Sequence, residues 1–102
     1  MIYFKRYETE HGSVLAMCDE ELIGRVLKRD KVILDLDRYS SFYKGELISE
    51  EDASARLAGE RIYSANIVGE RSIKIVVDHG LAQPSDVTSA EGVPFVQIFV
   101  LV

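Results

Sequence analysis

The sequence predicts an α+β fold, a mainly antiparallel sheet with about two helices, and three observations carry that expectation. Runs rich in β-branched and aromatic residues recur along the chain, two segments bear helix start and stop signals, and 102 residues make one domain, spanning 1–102. The predicted order is ββ(turn)ββ-loop-αβα-ββ. At this length roughly two-thirds of the unfolded chain's surface can be buried, so the core needs neither metal nor disulfide.

Ile2 to Tyr7 and Ser13 to Cys18 read as strands joined by a loop that ends in Gly12, a hairpin pattern. Asp19 is suited to cap a short helical turn with Glu20 and Glu21 at its positive end and Gly24 as its stop. Arg25 to Arg29 and Lys31 to Asp37 read as extended segments paired around Asp30, with Val32, Leu34 and Leu36 on one face and Asp35 and Asp37 on the other. Arg38 to Gly45 is aromatic, polar and turn-forming, a structured loop. Ser49-Glu50-Glu51-Asp52 matches a capping box, Ile48 is placed to staple against Ala53, and Gly59 ends the helix. Arg61 to Val68 is extended again. Ser72 to His79 fits both periods, but His79, Gly80 and Pro84 at its end favour a helix. Asp86 to Ser89 is a short strand, Ala90 to Gly92 a turn, and Pro94 to Val102 a strand apolar on both faces, as when both are covered.

Twelve basic and seventeen acidic side chains give a net charge of −5, which opposes non-specific binding to DNA or other nucleic acid and to anionic membranes. The single cysteine forms no internal disulfide and the N-terminus lacks secretory-signal features, so a reducing cytoplasm is expected. The charge-free stretch Gly92 to Val102 is about half of a membrane-spanning helix, and no membrane span is expected.

Catalytic and metal signals are weak. Cys18, His11 and His79 lack zinc-site spacing. Asp35 and Asp37, roughly 7 Å apart on one strand face, form either a solvated face or a hard-cation pair. Cys18 ends an apolar strand and is followed by three acids that raise a thiol's pKa, which favours a buried hydrophobe over a nucleophile. His11 suits a solvated loop and His79 a helix end. No nucleophile elbow, P-loop or dinucleotide fingerprint occurs, so neither cofactor nor metal nor catalytic residue is assigned.

Binding signals are stronger. The junction from Ala65 through Gly69 to Arg71 runs from strand to helix and leaves free amides suited to an anion, with Asn66 and Arg71 as added donors and Glu70 competing for the same amides. The loop residues Phe42, Tyr43, Lys44, Gly45 and Glu46 combine rings with Arg38 and Lys44 after a basic run at Arg25, Lys28, Arg29 and Lys31. That combination suits single-stranded RNA, against the alternative that the rings pin the loop to the core.

Five strings in order, Cys18 to Gly24, Phe42 to Glu46, Ala65 to Glu70, Gly80-Leu81 followed by Pro84, and Gly92-Val93-Pro94, resemble a family of small uncharacterised archaeal proteins of about this length. The resemblance implies a stand-alone cytoplasmic archaeal domain of unknown function, without known catalysis and loosely associated with translation. Related sequences tend to read Gly-Val-Pro-His-Ala-Gln where this chain has Gly92-Val93-Pro94-Phe95-Val96-Gln97, so the histidine is missing while Pro94 and Gln97 remain.

The sequence therefore favours a binding module over an enzyme, with RNA or a ribonucleoprotein component as partner, and expects Phe42 to Glu46, Asn66 to Glu70 and Gly92 to Gln97 to share one surface. The alternative is a small enzyme or sensor holding a phosphate- or carboxylate-bearing metabolite at the Gly69 helix start. A third reading is homo-oligomeric assembly through a strand edge.

Overall fold

The computed structural model describes residues 1–100 and is α+β with a mainly antiparallel sheet, as the sequence predicts. The strands are β1 (Ile2–Thr9), β2 (Gly12–Asp19), β3 (Val26–Arg29), β4 (Val32–Asp35), β5 (Glu46–Ile48), β6 (Ile62–Val68), β7 (Thr88–Ala90) and β8 (Val93–Phe99). The helices are α1 (Ser40–Tyr43), α2 (Glu50–Ala58) and α3 (Glu70–Asp78), with 3-10 turns at Glu20–Leu22 and Pro84–Asp86. Six strands form one sheet in the order β5-β1-β2-β6-β8-β7, and β3 with β4 makes a separate ribbon. Only the central pair β2 and β6 is parallel.

Alternation along the strands divides the core between the two faces of the sheet. On one face Phe4, Leu15, Met17, Ile67 and Val96 meet Ala53 and Leu57 of α2 and Ile73 and Val76 of α3. On the other, Ala16, Cys18 and Val68 lie beneath Leu27, Leu36 and Tyr43, which come from the ribbon, the segment after it and α1. The helix signals act as read: the Ser49 hydroxyl accepts the Asp52 N–H at 3.1 Å, Ile48 and Ala53 share a core, and His79 ends α3.

Several expectations need correction. The second ribbon strand ends at Asp35 rather than Asp37. Val32 and Ile33 are 51% and 60% exposed while Leu36 is fully buried in the core beneath the ribbon, so the buried side belongs to the segment after β4 and not to its alternating face. Asp35 and Asp37 are not two positions of one strand face: Asp35 Oδ1 accepts the N–H groups of Asp37 and Arg38 at 3.2 and 2.8 Å and closes the turn after β4. The aromatic loop contains the short helix α1, held by Phe42 stacked on Tyr7 with ring centroids 5.3 Å apart and by the Tyr7 hydroxyl donating to the Phe42 carbonyl at 2.9 Å. Glu46–Ile48, unassigned by the sequence reading, pairs with Ile2–Phe4 as an edge strand.

Near the C-terminus, Pro84 starts a 3-10 turn whose Asp86 carboxylate accepts the Gln83 N–H at 2.9 Å, so the strand predicted at Asp86 begins only at Thr88. Glu91 and Gly92, with φ of 51° and 78°, make the two-residue turn between β7 and β8. Coverage of the final strand on both faces fails at its far end, where Phe99 is 65% exposed and, among the described residues, no element lies over that corner; Leu101 and Val102 lie outside the described residues. Among the described residues no helix is long and apolar enough to cross a membrane.

If Leu36 anchors the ribbon, Leu36→Ala lowers unfolding free energy by about 2–4 kcal/mol in urea titrations. Ile33→Ala on the exposed ribbon changes it by less than about 0.5 kcal/mol.

Candidate binding site

The eleven residues singled out by sequence fall into three places. Around the first, β6 and β8 bring Asn66 opposite Gln97 on the sheet face turned away from α2 and α3. A cleft of about 130 Å³ opens there, walled by Leu34 of β4, Tyr43 of α1 and Phe95 of β8. Tyr43 is buried, and burial followed by the neighbouring Cys18 pushes its hydroxyl pKa up to about 12. Asn66 is half-buried and Gln97 exposed, so two side-chain amides stand beside ring and aliphatic walls. Neither Leu34 nor Phe95 was singled out by sequence; the substitution at Phe95 was the available signal.

The second place is the start of α3. Here the anion expected from outside is supplied by the chain itself. Asp19, buried at the end of β2, accepts the Arg71 N–H at 3.1 Å on Oδ2, and on Oδ1 the Ser72 N–H at 2.9 Å and the Ser72 hydroxyl at 2.8 Å. Asp19 therefore caps α3 rather than the 3-10 turn beside it, where its side chain makes no capping bond, and it takes the role the sequence reading left to Glu70.

Gly69 has φ of 107°, and a Cβ there would overlap the Asp19 carboxylate, so glycine is required for the carboxylate to reach the helix. The Gly69 N–H donates to the Pro94 carbonyl at 2.8 Å, which joins Pro94 to this junction. Arg71 pairs with Glu21, raising the guanidinium pKa and holding the Glu21 carboxyl below its ordinary range. A cleft of about 200 Å³ runs past Asp19, Arg25, Gly69, Arg71 and Pro94.

The third place is the outer side of β1. Phe42 is committed to its stack on Tyr7, Lys44 is exposed, and a Cβ on Gly45 would overlap the backbone of Phe4. Glu46 pairs with Arg56 at 2.8 Å, which lowers its carboxyl pKa. The three segments thus converge in part: Tyr43, Asn66 and Gln97, one from each, share a cleft, Gly69 to Arg71 share another with Pro94, and Phe42, Lys44, Gly45 and Glu46 lie at neither.

Remaining candidates have structural roles. Burial first, then the charges of Asp19 and Glu21, pushes the Cys18 thiol up to about 12, which leaves it neutral and unreactive at physiological pH. His79 shares a 2.7 Å hydrogen bond with Ser54 that ties α3 to α2. Among the described residues no group of three or more His, Cys, Asp and Glu side chains is arranged to hold a metal ion.

Comparison with known proteins matches residues 7–101 to a family described as "Protein of unknown function (DUF424)". The crystal structure of an uncharacterized conserved protein from Methanopyrus kandleri is similar at 30% identity and a TM-score of 0.82, over 98% of this chain and 91% of that one. No curated protein matches.

Removing the Asp19 carboxylate strands three donors, so Asp19→Ala lowers stability by about 2–4 kcal/mol in urea unfolding, against about 1 kcal/mol or less for Glu21→Ala at the exposed ion pair. Cys18 and Tyr43 titrate above their ordinary values of 9.0 and 10.0 when folded, so each stabilises the fold below those values and loses that contribution as pH rises toward about 12. Unfolding free energy measured across that window falls with pH, and Cys18→Ala with Tyr43→Phe flattens the decline.

Proposed function

The chain belongs to the DUF424 family of proteins of unknown function, and we propose that it is a non-enzymatic binding module for single-stranded RNA, acting within a ribonucleoprotein. The observation that carries the reading is the Asn66–Gln97 cleft. Its volume of about 130 Å³ is on the scale of one nucleobase, and side-chain amides beside rings are the groups that read the edge and face of an unstacked base.

The ribbon that supplies Leu34 to the cleft belongs to residues 25–38, which carry five basic and three acidic side chains in a chain of net charge −5. Arg25, Lys28, Arg29 and Lys31 are exposed there, and exposed Val26, Val32 and Ile33 add apolar area. A phosphate backbone tracking the ribbon with a base in the cleft uses both features and avoids the acidic remainder. The aromatic contribution is Tyr43 with Phe95 rather than Phe42, whose ring already stacks on Tyr7. The alternative, a metabolite anion at the α3 start, is weakened by the Asp19 carboxylate on the Arg71 and Ser72 amides.

Fluorescence anisotropy with a labelled single-stranded RNA, its duplex and a salt series tests the proposal. The expected outcome is preferential binding of the single strand, weakening as salt rises. Asn66→Ala with Gln97→Ala weakens it about tenfold or more at all salt concentrations. Lys28→Glu with Lys31→Glu weakens it and flattens the salt dependence. No binding even at low salt refutes the proposal.

A further inference from the structure

We infer that the Asn66–Gln97 cleft selects adenine, reading that base with its two side-chain amides; this rests on the RNA reading above and names the base it recognises. The chain has three carboxamide side chains, Asn66, Gln83 and Gln97, and the register of β6 on β8 sets two of them directly opposite each other. Opposed residues on one sheet face hold their Cβ atoms about 5 Å apart, close enough for both amides to engage a single base. Tyr43 beside them is 7% exposed, and its hydroxyl, like both amides, bonds to no other group among the described residues. A polar side-chain atom sealed from solvent and without a partner occurs at Arg71 Nε and not at Tyr43, so the hydroxyl is open to the cleft that its side chain walls. Polar groups this deeply set are normally satisfied, and a hydrogen-bonding occupant of the cleft satisfies all three.

The order of donors and acceptors selects the base. Adenine presents N7, its two amino hydrogens and N1 in a row, which reads acceptor, donor, donor, acceptor. Two carboxamides with their oxygens turned inward present the complement, and each takes one edge bidentately, as Asn and Gln do wherever they read adenine. Neither amide is held by another group of the protein, so both are free to turn that way. Cytosine lacks the second ring acceptor and uracil lacks the paired hydrogens, so each completes fewer bonds. Guanine sets two donors side by side on its Watson–Crick edge, a pair matched by a carboxylate, and no acidic residue lines the cleft.

Oligouridine strands that differ only at one central nucleotide test the inference by fluorescence anisotropy on the full chain. That nucleotide is adenosine, guanosine, cytidine, uridine or purine riboside, which keeps the adenine ring and lacks its amino group. The expected result is that the adenosine strand binds about tenfold or more tighter than each of the others. Asn66→Asp replaces a donor by an acceptor at nearly constant size and abolishes the preference. The purine riboside strand tests the same contact on the wild-type chain should that variant fail to fold. Equal binding of all five strands overturns the inference and leaves the RNA reading standing, and a preference kept by purine riboside or by folded Asn66→Asp also overturns it. Adenosine monophosphate, titrated while the side-chain NH2 signals are followed by 15N NMR, separates the two in the other direction. Shifts at Asn66 and Gln97 but not Gln83, with no strand bound, uphold adenine recognition and refute the RNA reading. No shift and no bound strand overturn both.

Discussion

The contact on which the rest of the architecture turns is the buried carboxylate of Asp19 under the first turn of α3. It lies at the end of β2, and β6, its only parallel neighbour, runs directly into the helix that the carboxylate caps. The register sets Cys18 beside Val68, so Asp19 falls beside Gly69, the one residue without a Cβ to block it. A slip by one position would reverse the facing of β6 and detach the helix from its cap at once. The same junction draws in Pro94 of β8 through its carbonyl, so three central strands and one helix share a single point of registration.

Local signals were legible in the sequence where the partner lay within a few residues. The Ser49 cap, the Gly59 and His79 helix ends and the first hairpin all rest on such contacts. The recipient of Asp19 lies 52 residues away in the chain, and at sequence level the nearer 3-10 turn was the only visible target. The edge strand β5 escaped notice because three residues between a turn and a capping box carry too little alternation to register. For α1 the rings were noticed, and their packing on Tyr7 depends on a strand 35 residues earlier.

The candidate site divides in the same way. Asn66 and Gln97 were singled out on separate grounds, and only the antiparallel register places them side by side. Their neighbour Leu34 is an ordinary aliphatic in an alternating segment, so nothing in its local pattern marks it. Basic residues 25–31 were visible as a run. Folding sets them on a two-stranded ribbon separate from the six-stranded sheet, where all four are exposed.

The central position of the parallel pair also bears on how the chain emerges from the ribosome. Strand β2 is complete at Asp19, but its partner on the inner side begins at Ile62, with the ribbon, α1, β5 and α2 made in between. Throughout that interval Gly12 to Cys18, a charge-free segment nearly all of which is buried in the finished fold, presents an unpaired edge. The nascent N-terminal half is therefore the stage most open to wrong pairing, and the arrival of β6 with α3 closes the edge and engages Asp19 together.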